Sequence, residues 1–274
     1  MYIHSAGQPG ASSPLASIPP TLLFRAVLQG AASLAWRNRR IRLDEDAWLV
    51  LDGREACSVR LDPELRTRML VVVVSHDDCR AALAGVPGAP AESPAWPAEL
   101  AFADNLRPRD GPAGRRLMAI ACGREGGWSE AEERGQRLEL VREAWTEELA
   151  LRRQATRIDC VKRATREQLL RRILLAADFI ASRHDEPISL DEMARAASLS
   201  RFHFVRLFSR VHGETPHAFL RRKRTAVARR HLAGGRACSE AASRAGFGSR
   251  SSLFRNLRKT APADAGSESC FRSA

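Results

Sequence analysis

ISLDEMARAASLSRFHFVRLFSRVHGETPHAFLRRKRTAVARRHL, Ile188 to Leu232, is the stretch that decides the reading of this 274-residue chain. Ser189 and Glu192 stand three apart, so the hydroxyl can accept a backbone N–H while the carboxylate reaches back to the cap, a capping box that fixes a helix start. Leu190, Met193, Ala194 and Ala197 then recur at helical spacing. Leu199-Ser200 breaks the run, and Ser200 is placed to cap the next helix. In that second helix Phe204, Leu207, Phe208 and Val211 fall at i, i+3, i+4 and i+7, while Phe202, Val205, Arg206 and Ser209 share the opposite side. One face builds core, and the other is left to touch something. A Phe and a Val beside an Arg suit a major groove, where the thymine methyl takes apolar contacts and Arg reads guanine or grips phosphate.

The pattern of helix, turn and Arg-bearing amphipathic helix recurs about fifty residues on, so residues 188–259 read as two helix-turn-helix units in tandem. Over Ile188 to Leu232 the chain resembles the AraC/XylS family of transcription regulators. The resemblance continues through Gly213, Thr215-Pro216, the basic stretch Arg221 to Arg224, and a second unit from Cys238 to Arg258 with its turn at Gly246-Phe247. Pro at a helix start is sensible, since its missing N–H has no partner there anyway, and Gly246 suits a left-handed helix end. The resemblance implies that Arg201, Phe202, Val205 and Arg206 contact DNA in one major-groove segment and Arg250, Ser251, Ser252 and Arg255 in the next. The long helix between sets the spacing, and two such helices on one side of a duplex lie roughly 34 Å apart.

The second unit departs from the family pattern. Cys238, Ala241 and Thr225 stand where larger aliphatic residues are usual, and each lost methylene weakens burial by about 0.8 kcal/mol. After Lys259 the family continues into a last helix, whereas this chain runs Thr-Ala-Pro-Ala-Asp-Ala-Gly, so the closing helix is expected to be truncated or missing and the second unit marginally stable alone.

Charge divides the chain in the same place. Residues 151–274 hold 26 Lys+Arg against 11 Asp+Glu, a net +15, whereas residues 1–150 carry a net −3. A GC-rich genome favours Arg everywhere, but it does not confine the excess over acids to one end. Such asymmetry fits a polyanion partner, because basic groups that neutralise phosphates release counterions.

The expected fold class is α+β: a β-rich, cupin-like N-terminal sensor followed by an all-α domain with two helix-turn-helix units. Residues 1–20, rich in Ser, Pro, Gly and Ala, read as a disordered tail without signal-peptide character. Residues 21–128 read as the effector-sensing domain, with strands at Ile41–Leu43, Trp48–Leu51, Ser58–Leu61 and Met69–Val74, and Asp52-Gly53 as a hairpin turn. Gly85 to Pro112 is turn-rich. In 129–165, Ser129 and Glu132 cap a helix whose Leu138, Val141, Trp145 and Leu149 line one face, either against the sensor itself or against a second chain. Gln154 to Ala164 is the expected linker. A helix over Arg166 to Arg183 opens the DNA-binding domain, 166–262, and 263–274 is a second disordered tail. No run reaches membrane-spanning length, so the chain is expected to be soluble and cytoplasmic.

Enzyme chemistry finds little footing. Cys57, Cys79, Cys122, Cys160, Cys238 and Cys270 are scattered without a Cys-x-x-Cys pair, and the seven histidines lack metal-ligand spacing, so neither metal nor cofactor is expected. His203, His212 and His217 read as surface or phosphate-contacting residues. Two alternatives stay open: a protein-interaction module on a decayed helix-turn-helix, and a relative of the adaptive-response DNA methyltransferases with Cys122 as its reactive thiol. The expected partners are double-stranded DNA, RNA polymerase, a small-molecule effector and a second copy of the chain as homodimer.

Overall fold

The computed structural model describes residues 2–5, 21–36, 39–53, 57–63, 65–89, 102–159 and 162–259. Seven strands come first: β1 (Tyr2–Ser5), β2 (Thr21–Gln29), β3 (Ala31–Trp36), β4 (Arg39–Asp44), β5 (Ala47–Asp52), β6 (Ser58–Leu61) and β7 (Arg68–Ser75). Helix α1 (His76–Leu83), the short strand β8 (Arg107–Pro108), α2 (Pro112–Glu125) and α3 (Glu130–Gln154) complete the N-terminal half. The C-terminal half is helical: α4 (Arg163–Ser182), α5 (Leu190–Ala196), α6 (Arg201–His212), α7 (Pro216–Ala233), α8 (Cys238–Arg244) and α9 (Arg250–Lys259).

The strands form two antiparallel sheets, one in the order β1-β7-β2-β5-β8 and one in the order β4-β3-β6. Because successive side chains of a strand point to opposite faces, the larger sheet feeds two cores. Leu22, Phe24, Ala26, Trp48, Val50, Leu70, Val72 and Val74 meet the helices α1, α2 and α3. Leu23, Val27, Leu49, Leu51, Met69 and Val71 meet Leu34, Trp36, Ile41 and Leu43 of the smaller sheet. With both faces covered, the run Met69–Val74 needs no polar alternation.

Three expectations are corrected here. Tyr2–Ser5, read by composition as part of a disordered tail, pairs with β7, Ile3 opposite Leu70, and Ile3 packs on the helical-layer core. The rest of that tail and residues 263–274 lie outside the described residues. Asp52-Gly53 is not a hairpin turn, since β5 and β6 belong to different sheets. A turn signal marks a reversal of the chain but does not choose the pairing partner. The strands also begin earlier than the first expected one at Ile41–Leu43, with β2 and β3 preceding it. The predicted stripe on α3 is occupied: Val141 and Trp145 are fully buried and Leu138 and Leu149 pack beside them, all in the chain's own N-terminal core, shared with α1, α2 and the larger sheet. The expected capping box at Ser129 and Glu132 is present. Residues 155–158 of the expected linker contribute buried Ala155 and Ile158 to the core of the first helix-turn-helix unit.

Buried polar contacts hold the N-terminal half together and join it to the C-terminal one. Within the N-terminal half Arg107 pairs with Glu148, and its guanidinium lies over the rings of Trp48 and Phe102 at 5.4 and 5.7 Å. Next to this pair the carboxylate of Asp178, on α4, accepts from the Arg39 guanidinium at 2.7 Å and from the backbone N–H of Leu106 at 2.9 Å. Complete burial pushes the Asp178 carboxyl up to about 7, against the pull of Arg39. The fold thus retains a proton that the unfolded chain releases near 3.8, so ionising Asp178 costs stability as pH rises from about 4 to about 7. Asp178→Asn is expected to flatten that decline, which amounts to about 1–4 kcal/mol, in urea unfolding midpoints measured across this pH range. A slope unchanged in the variant would refute the assignment.

Candidate nucleic-acid interface

The first helix-turn-helix unit is built as its residues dictate. The Ser189 hydroxyl accepts the Glu192 N–H, and the Glu192 carboxylate accepts the Ser189 N–H at 2.8 Å, so the capping box that starts α5 is complete. α5 ends where Ser198 takes a left-handed conformation at φ +52, which lets the N–H groups of Ser198 and Leu199 bond back to Arg195 and Ala194. The chain then turns into α6. Ser200 is the N-cap, but its hydroxyl makes no capping bond, contrary to expectation. Gly213 closes α6 in the left-handed conformation, φ +74. The Thr215 hydroxyl caps α7 by accepting the Ala218 N–H, with Pro216 in the first turn.

α6 has the two faces read from its spacing. Phe204, Leu207, Phe208 and Val211 are buried with Ile173, Leu174, Met193 and Leu220. On the other side Phe202 is 80% exposed, the one large hydrophobic side chain so exposed among the described residues. Arg206 is exposed beside it, and Val205 is half-buried, one side of it packed on the core. Burying a Phe ring is worth about 1.5–3 kcal/mol, a gain that Phe202 forgoes on this face. Arg201 is exposed but engaged: it pairs with Asp191 from the start of α5, which holds the Asp191 carboxyl below its usual range. Its guanidinium must exchange that carboxylate for any phosphate it grips.

The second unit repeats the plan on a smaller core. Val227, Ala228, Ala241, Ala242, Ala245, Phe247 and Leu253 form it, four of the seven being alanine. Thr225 is buried, and its hydroxyl bonds the Arg221 carbonyl at 2.8 Å, which satisfies the polar group that replaces an aliphatic one. Gly246 is left-handed, φ +79, and a Cβ there would stand 2.5 Å from the His184 carbonyl oxygen, so glycine is required both by conformation and by close approach. The Ser249 hydroxyl caps α9 by accepting the Ser252 N–H at 3.1 Å. Arg250, Ser251 and Arg255 are exposed on α9, while Ser252 is half-buried with its N–H taken by that cap. The expected loss of the closing helix falls on residues outside the described set.

Several basic and aromatic residues play other parts than spacing suggests. Arg224 donates to the carbonyls of His184 and Glu186 and joins the two units to each other. Arg222 pairs with Glu214 at 2.8 Å and covers the Phe219 ring, while Arg221 is exposed. His212 is not a surface residue: its ring packs against Phe208 and Phe219, and burial pushes its pKa down to about 4, which keeps it neutral. His203 and His217 are exposed. Among the described residues no three His, Cys, Asp or Glu side chains gather as metal ligands. Cys122 is exposed on α2, whereas the buried Cys79 thiol is pushed up to about 12.

The family model for a helix-turn-helix domain matches residues 193–262. Among solved structures, ToxT from Vibrio cholerae is similar at 11% identity over 87% of this chain and 85% of that one, with a TM-score of 0.37. ToxT with an unsaturated fatty acid bound is similar at 12% identity over 89% and 84%, TM-score 0.30. The AraC-like transcriptional activator CuxR is similar at 14% identity over 82% and 69%, TM-score 0.32. No curated protein matches the chain in sequence.

The two faces of α6 should separate in a stability measurement. Phe204→Ala is expected to cost about 3–5 kcal/mol in urea unfolding, and Phe202→Ala to stay within about 0.5 kcal/mol of the parent. A large loss at Phe202 would mean that the residue is a hidden part of the core.

Proposed function

We propose that this chain, whose residues 193–262 match a helix-turn-helix domain model, is a sequence-specific DNA-binding transcription regulator of AraC/XylS type that lays α6 and α9 into adjacent major grooves near a promoter. The observation that carries this reading is the solvent face of α6, where a Phe 80% exposed stands beside an exposed Arg on a helix whose other face is fully committed to core. The net +15 of residues 151–274 supports it, since phosphate neutralisation supplies most of the affinity of such domains. Phe202, Val205 and Arg206 reach base edges, Val205 with its uncovered side only. Arg201 serves phosphate once it leaves Asp191. On α9, Arg250, Ser251 and Arg255 do the same in the second groove, and Ser252 contributes its hydroxyl.

The N-terminal half is the sensor in this reading, taking a small-molecule effector, and the output is contact with RNA polymerase. The α3 stripe is covered by the chain's own N-terminal core and gives no support to a homodimer, which rests on the family resemblance alone. We assign the chain no catalytic role. No helix among the described residues is long and apolar enough to cross a membrane.

Binding to random duplex at two salt concentrations tests the polyanion reading, with affinity expected to fall about a thousandfold or more between about 50 and 200 mM salt. A chain that binds no duplex at the lower salt is a protein-interaction module instead. On duplexes enriched by the wild type, Arg206→Ala should cost about 1–3 kcal/mol at one base position. An equal loss on every sequence would reduce Arg206 to a phosphate contact.

A further inference from the structure

The chain leaves β4 at Asp44 and enters β5 at Ala47, and in doing so passes from the smaller sheet to the larger one. This corner is held in place. Gly30 donates its N–H to the Glu45 carboxylate at 2.8 Å, Arg109 donates its N–H to the Asp46 carbonyl at 2.8 Å and its guanidinium to the Glu45 carbonyl at 2.9 Å, and the Asp46 N–H donates to the Asp44 carboxylate at 3.1 Å.

The corner presents two carboxylates to α7. The Lys223 ammonium lies 2.9 Å from Asp44 and 3.1 Å from Asp46, and the Arg230 guanidinium lies 2.6 Å from Asp46 and 3.8 Å from Asp44. Lys223 and Arg230 are seven residues apart, two helical turns and therefore one face. The side chains at the centre are shielded, Lys223 being 13% and Asp44 10% exposed. Burial by itself would raise the Asp44 carboxyl, but Lys223 and Arg230 outweigh it and hold the group below its ordinary value.

α7 is also the one helix shared by the two helix-turn-helix cores. Leu220 belongs to the core under α6, and Val227 and Ala228 belong to the core under α9. The clasped residues 223 and 230 bracket the passage from one to the other. The neighbouring strand β4 adds a second hold on the same region: the Arg42 N–H donates to the Ser182 hydroxyl at 3.1 Å and its guanidinium reaches Asp185 at 3.5 Å. That loop is where Gly246 of the second unit makes its close approach.

We propose that the acidic corner between β4 and β5 is an intramolecular clamp on α7, through which the N-terminal domain sets where the second recognition helix stands relative to the first. The inference rests on the DNA-binding reading above and extends it. Coupling passes through the Asp44–Asp46 contact with Lys223 and Arg230, and not only along the covalent connection between the halves. A displacement of the two sheets relative to each other moves the corner, because the corner is one of the covalent joints between them.

Asp46 and Arg230 are 28% and 31% exposed, so substitutions there spare the core. The test uses the full chain with Asp46→Asn, Arg230→Gln and both together. Amide hydrogen exchange in residues 216–233 and 246–250 is expected to be about tenfold faster in either single variant and no faster still in the double, the non-additivity of a broken pair. Exchange unchanged in the single variants, or effects that add, would overturn the clamp. A simple charge effect is separable, since it would move DNA affinity in opposite directions in the two single variants.

In selection from random duplexes, the wild type should enrich paired half-sites at one separation, and each variant a spread of separations. Enriched sites whose separation the variants leave unchanged would overturn the clamp alone. A wild type that enriches no duplex would overturn the DNA-binding reading itself.

Discussion

One helix serving two cores is the constraint on which the C-terminal half depends. α7 gives Leu220 to the aromatic interior under α6, and Val227 and Ala228 to the small alanine-rich interior under α9. Close-packed interiors transmit displacement and do not absorb it. Whatever tilts this rod therefore moves one recognition surface against the other. Between the two interiors the rod is tied laterally by Arg224 to the loop at 184–186, and that loop seats Gly246. The arrangement places the strongest packing in the first unit and leaves the second dependent on its neighbours.

Polar chemistry follows a similar division. Two buried carboxyl groups have partners: Glu148 takes Arg107 and the Ala103 N–H at 3.1 Å, and Asp178 takes Arg39 and the Leu106 N–H. These contacts lie at the junction of the halves, where breaking one partner leaves an uncompensated buried charge. Where charges are exposed, on α6 and α9, they are available for exchange with a partner, and Arg201 keeps a carboxylate in the meantime. The first kind fixes geometry, and the second serves recognition.

The first helix-turn-helix unit was legible in the sequence because its determinants are local. Ser189 with Glu192, Gly213, Thr215-Pro216 and the i, i+3, i+4 spacing of Phe204, Leu207 and Phe208 all act within one or two helical turns, and each behaves in the structure as its position implies. What escaped the sequence is non-local. Asp52-Gly53 carries a genuine turn signal, yet sheet membership depends on which distant strand offers the matching face. Arg201 and His212 sit at positions open to solvent by spacing, but the start of α5 supplies a carboxylate to one and Phe219 of α7 supplies a lid to the other. The Asp44 and Asp46 contacts with Lys223 and Arg230 span most of the chain and have no sequence signature at all.

The larger sheet has a consequence for how the polypeptide reaches its native state. β2, β5 and β7 carry apolar side chains on both faces, so neither face tolerates water for long, and Met69 to Val74 has the composition of a segment that associates with its own kind. One cover, the smaller sheet, is woven from neighbouring strands and arrives with them. The other is completed by α2 and α3, which leave the ribosome some forty to eighty residues later. During that interval the nascent sheet is half-clothed, and a truncation ahead of α3 would leave it so permanently. The covering of that face is complete only once α3 has been made, so a cut meant to keep the N-terminal core intact belongs beyond Gln154.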